Sequence, residues 1–150
     1  MPCNLPCHEV GREHYNRGVG KHDDTFARLA ATGAQLREVR ASLMRQTPEL
    51  RQRWFQAPGC DLFLWYDHVR GLSHLQLVFG ERAAVEWFDG KPVTTSRLSA
   101  FGMARHAGDL SRLVHDRSPD TGTLAEARAL LSRANVDDVT LALVRKHLGV

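Results

Sequence analysis

DLFLWYDHVRGLSHLQLVFGERAAVEWFD, residues 61–89, is the stretch that decides the fold. Asp61 to Asp67 is short, apolar and aromatic, which reads as a strand. Residues 68–71 end in Arg70-Gly71 and turn the chain. Leu72 to Phe79 alternates: Leu75, Leu77 and Phe79 point one way, and His74, Gln76 and Val78 point the other. Gly80-Glu81-Arg82 makes a second reversal, and Ala83 to Asp89 is a third strand with Val85 and Trp87 on one face. If Phe79 pairs with Ala83, Leu77 meets Val85 and Leu75 meets Trp87, contacts that hold the register. The expectation is a three-stranded antiparallel meander at the centre of an α+β domain.

Upstream, the spacing predicts a helix over 25–46, capped by Asp23 or Asp24. Leu29, Leu36, Val39 and Leu43 form its apolar stripe, interrupted by Thr32 and weakened by Gly33. Thr47-Pro48-Glu49 then reads as a new helix start, with a short helix through Phe55 that Pro58-Gly59 ends. Residues 1–22, rich in Gly and Pro and without an apolar period, read as a disordered extension. Residues 23–150 read as one domain.

Downstream, Val93 to Leu98 offers another strand, and Leu110 to His115 suits either a short strand or a helical turn. The expected sheet therefore has three strands, or four to five. Ser118 to Gly122 reads as a loop. Thr123-Leu124-Ala125-Glu126 has the pattern of a capping box opening a helix with Leu124, Ala127, Leu131 and Ala134 on one face. Asp137 caps a last helix that Gly149 ends. That helix is apolar on two sides: Val139, Ala142 and Leu143, then Leu141, Val144 and Leu148. One stripe suits the core. The second faces another element or a partner.

Composition narrows the class. A chain of 150 residues, 43% hydrophobic and 25% charged, can bury its own core without a metal or a disulfide. It has no apolar run near the roughly 20 residues a membrane helix requires. Met1-Pro2-Cys3-Asn4-Leu5 lacks the basic start and apolar stretch of a secretory signal, so a cytoplasmic location is expected. Three cysteines make no disulfide framework. Charge is unevenly placed: residues 25–53 hold six arginines against two acids, and residues 60–90 hold five acids against two arginines. Either the two segments pack with their rims attracting, or the arginines meet an anionic partner.

Several residue sets carry possible chemistry. Cys3, Cys7, His8 and His14 are of metal-ligand type. Cys3 to His8 departs from the haem-attachment pattern by one extra residue, and zinc sites usually join two spaced pairs. Arg17 to His22 lacks the leading glycine and the hydroxyl residue of a phosphate-binding loop. Ser73 and His74 are strand neighbours pointing to opposite faces, so they make no nucleophile–base pair. Asp67, His68 and His74 gather near the first hairpin, with Glu86 on the neighbouring strand and beside His74 if the register holds, suited to acid–base work or to plain exposed pairing. Arg37, Arg40, Arg45, Arg51 and Arg53 are the candidate anion- or nucleic-acid-binding residues. The aromatic residues between Trp54 and Phe88 either fill the core or stack bases.

Leu50 to Phe55, Asp61 to Asp67, Leu75 to Gly80, Trp87 and the helix from Val136 to Leu148 resemble a group of small bacterial proteins. In that group an aspartate-led aromatic strand precedes a glutamine-centred strand and a tryptophan strand. The resemblance covers about residues 36–90 and 124–148 and departs between Lys91 and Asp116. It implies the meander and transfers no activity, cofactor or site.

The expected function is that of a small non-catalytic domain that binds another protein or itself, with no cofactor. The alternatives are weak nucleic-acid or anionic-ligand binding through the arginines, and a metalloprotein or enzyme built on Cys3, Cys7, His8 and His14.

Overall fold

A computed structural model of the chain describes residues 19–44, 46–80, 83–98 and 113–150. Seven antiparallel strands follow one another in sequence order: β1 (Arg37–Glu38), β2 (Leu50–Ala57), β3 (Cys60–Asp67), β4 (Gly71–Phe79), β5 (Ala83–Phe88), β6 (Thr94–Leu98) and β7 (Leu113–His115). Helix α1 (Val19–Ala34) precedes the sheet, and α2 (Thr121–Leu131) and α3 (Asp138–Leu148) follow it. The class is α+β with an antiparallel meander of seven strands, more than the three to five expected. Among the described residues, no helix is long and apolar enough to cross a membrane.

The central register is the one the alternation implies. Phe79 pairs with Ala83, Leu77 with Val85 and Leu75 with Trp87. On the other side Leu62 pairs with Leu77 and Leu64 with Leu75, and the register shifts between Trp65 and Tyr66. Leu62, Leu64, Leu75, Leu77 and Val85 are wholly buried on one face. Ala127, Leu130, Leu131, Val144 and Leu148 join them in the core. Helices α2 and α3 pack against β5, and α1 packs on α2.

The region before residue 58 corrects the sequence reading twice. The predicted helix over 25–46 begins earlier and ends at Ala34, where Gln35 and Leu36 donate backbone bonds to Thr32 O and Gly33 O in a tight closing turn. Leu36 still enters the core, but Leu43 is 75% exposed, so the apolar stripe was not one helical face. The predicted short helix is strand β2, paired over its whole length with β3 from Leu50↔Asp67 to Ala57↔Cys60. Thr47 and Pro48 mimic a helix start, yet Thr47 Oγ1 accepts from Leu50 N and begins a strand. Pro58-Gly59 closes a two-residue hairpin, with Gly59 at φ +69°.

The outer edge of β2 is closed. Thr47 exchanges backbone bonds with Leu50. The Gln46 amide donates to Gln52 O and accepts from Gln52 N, standing in for a neighbouring strand. Val39 N donates to Trp54 O, and Arg37 pairs with Gln56. A covered edge of this kind resists addition of a further strand.

Helix α2 is also capped differently from the expected Thr123–Glu126 box. Asp120 is the N-cap, and its carboxylate accepts from Thr123 N at 2.7 Å. Helix α3 follows expectation: Asp137 accepts from Thr140 N at 3.0 Å, and Gly149 ends the helix in the left-handed conformation.

Candidate functional site

A cleft of about 530 Å³ opens where α3 meets the start of β2 and the end of β3. Helix α3 buries Thr140, Val144 and Leu148 against the sheet. Of its other stripe, Leu143 packs partly against the core and Val139 is 81% exposed. Val139 and Leu143 form one wall of the cleft, and Tyr66 of β3 and Arg51 of β2 form the other.

Arg53 braces this site. It donates to Glu38 through Nε at 2.7 Å and Nη2 at 2.8 Å, to Asp137 at 2.9 Å and to Thr140 Oγ1 at 2.7 Å. Its guanidinium also lies 4.8 Å from the centre of the Phe55 ring. One side chain thus joins β1, β2 and the N-terminus of α3. The hydrogen bond to Glu38 leads in raising the Arg53 pKa, and the same bond leads in lowering that of Glu38. Burial works against the Asp137 charge, but hydrogen bonds from Thr140 and Arg53 outweigh it and leave its carboxyl below the ordinary value.

Arg51 behaves differently. Its guanidinium sits 5.7 Å from the Tyr66 ring centre and makes no hydrogen bond or ion pair with another described residue. Asp67, also lining the cleft, accepts from Val69 N at 2.7 Å and Arg70 N at 3.0 Å. Those bonds hold its carboxyl below the usual range. The His68 ring lies 3.5 Å from Glu49 O, on the cleft side and away from His74.

The four described members of the five predicted arginines do not all share one site. Arg37 donates to Ala34 O and Leu36 O, Arg40 is exposed ahead of a single 3₁₀ turn, and Arg45 lies outside the described residues. Only Arg51 and Arg53 meet, in the cleft. Among the described residues, no ion pair joins an arginine of residues 25–53 to an acid of residues 60–90. Cys3, Cys7, His8 and His14 lie outside the described residues. Among the described residues, no group of three or more His, Cys, Asp or Glu is placed to hold a metal. Cys60 is buried, and burial pushes its thiol up to about 12.

The sheet face opposite the helices carries a second constellation. Two cross-strand rows lie side by side: Gln52, Trp65, His74 and Phe88, then Trp54, Phe63, Gln76, Glu86 and Thr94. The rings stack on one another. Trp65 and His74 are 4.1 Å apart at 9°, His74 and Phe88 3.9 Å at 10°, and Trp54 and Phe63 5.4 Å at 21°. Glu86 Oε1 lies 2.9 Å from His74 Nε2 and accepts from Gln76 Nε2 at 3.2 Å. Burial is the leading cause that lowers the His74 pKa and favours the neutral ring, against the pull of Glu86, which favours the charged one. The His74–Glu86 contact was legible once the register was known. Gln76, only 3% exposed, entered the sequence reading as the centre of the glutamine-centred strand, with no role attached. The aromatic residues divide between the two faces: Phe55, Phe79 and Trp87 are buried in the core, and the stacked rings lie opposite.

The chain matches no protein-family model, no curated protein and no solved structure. The site therefore rests on its geometry.

Proposed function

We propose that this chain is a non-catalytic binding domain whose partner is another protein chain, seated in the cleft between α3 and strands β2 and β3. The observation that carries this reading is the second apolar stripe of α3. Val139 and Leu143 line a concavity with Tyr66 while Thr140, Val144 and Leu148 of the same helix are buried. Concave sites with an apolar wall and a few convergent polar groups are where ligands bind. The closed edge of β2 supports the same view, because a partner adding a strand there would meet backbone groups already paired. Nucleic-acid binding draws less support. The outer-face rings stack on each other, which occupies the faces a base would use, and Arg53 is held by two carboxylates.

The test is selection of a displayed peptide library on the full-length chain. Binders should be enriched and should lose binding to a folded Val139→Asp variant. No enrichment, or binders indifferent to that substitution, would overturn the proposal.

A further inference from the structure

The chemistry of the occupant follows from which cleft groups already have partners. Arg53, Asp137 and Asp67 are engaged by Glu38, Thr140 and the backbone of the turn after β3. Two charged side chains of the lining remain without a hydrogen bond or ion pair to another described residue: Arg51 and Glu49. Both line the cleft where β2 begins, Glu49 in the bend just before the strand and Arg51 within it. Beside them the Val139, Leu143 and Tyr66 side chains offer apolar surface.

We propose that the cleft reads an extended segment of a partner protein through one apolar side chain on Val139, Leu143 and Tyr66, one carboxylate on Arg51 and one cation on Glu49. This rests on the binding reading above and adds the identity of the occupant. The planar guanidinium of Arg51, steadied over Tyr66, suits two-point recognition of a carboxylate. Glu49 disfavours a second acid at its own end and so sets the order of the charges along the segment. The engaged pairs leave no comparable opening for a partner with a single type of charge.

Fluorescence anisotropy of labelled heptapeptides with the full-length chain tests this. The probes carry Lys-Leu-Glu, Glu-Leu-Lys, Gln-Leu-Gln or Lys-Ser-Glu between Gly-Ser flanks. One of the two charged leucine peptides should bind about tenfold or more tightly than the uncharged and the serine peptides. Arg51→Glu should abolish that preference, and an acid-to-lysine change in the peptide should restore binding to the variant. Equal binding of all four peptides, or a preference unchanged by Arg51→Glu, overturns the inference. If no designed peptide binds, the library selection decides. Cleft-dependent binders without the paired charges refute this chemistry and leave the binding reading intact, whereas an empty selection refutes both.

Discussion

Replacing Gly33 by alanine should destabilise this protein, although the same change in an exposed helix would stabilise it. Gly33 lies in the last turn of α1, where that helix crosses α2. In an open helix, alanine is favoured over glycine by about 1 kcal/mol. Here a Cβ would stand 2.0 Å from Leu130 O and 3.0 Å from Leu130 C. Both are backbone atoms, so no side chain can rotate away. Relief requires the helices to part by roughly 1.5 Å, the gap between this approach and ordinary van der Waals contact. Parting would stretch the bonds from Asn135 N to Gly33 O at 3.0 Å and from Asn135 Nδ2 to Leu36 O at 2.9 Å. Overpacking costs about 1–3 kcal/mol and each lost hydrogen bond about 1 kcal/mol. Set against the propensity gain, the net loss is about 2–4 kcal/mol. Urea unfolding followed by far-UV circular dichroism should show the midpoint lowered by roughly 1–2 M with the slope unchanged. A midpoint equal to or above that of the parent would refute the reasoning and the tight α1–α2 crossing with it.

Arg53→Met should cost about 1–3 kcal/mol, less than the roughly 3–5 kcal/mol of a fully buried pair because Glu38 and Asp137 are each nearly half exposed. Arg53→Lys should restore less than half of that loss, since an ammonium cannot span both Glu38 oxygens, and parallel urea titrations measure both. Stability should also fall between pH 7.5 and 5.5. The folded-state pKa of His74 is lowered, chiefly by burial, so the unfolded chain takes up its proton first as pH drops below about 6.5. That contribution is complete above pH 6.5 and declines toward the folded-state value. His74→Phe, which keeps a ring in the stack, should flatten part of the slope; an identical slope would exclude His74 as its source. His147, likewise lowered first by burial, supplies a further part in the same direction. Finally, Cys60 should resist iodoacetamide at pH 8 in the folded protein and react on denaturation, because its thiol is buried and pushed up to about 12. Mass analysis of the peptide carrying Cys60 reads this directly, and rapid labelling under native conditions would contradict it.

The central meander was legible because two local signals agreed. Strict alternation from His74 to Phe79 and the reversal at Gly80 leave one register that keeps Leu75, Leu77 and Phe79 on one face. The Asp137 cap and the Gly149 stop of α3 were equally local, since each depends on residues within one helical turn. Strand β2 was not legible in the same way. Its inward positions are Arg51, Arg53, Phe55 and Ala57, so half of the face that should read as apolar reads as charged. The helix-like start at Thr47-Pro48 then prevailed in the sequence reading.

What the sequence alone determined was therefore the class, the register of β4 against β5 and the two-sided character of the last helix. What only the tertiary structure decided was which of those charges and stripes meet. Arg53 is acceptable on an inward face because Asp137 and Thr140 arrive there from more than eighty residues away and satisfy its donors. Val139 lines a cleft because Tyr66 and Arg51 stand opposite it. Period and propensity act over a few residues, whereas the partner that makes a charge tolerable, or a stripe available, is set by the packing of distant segments.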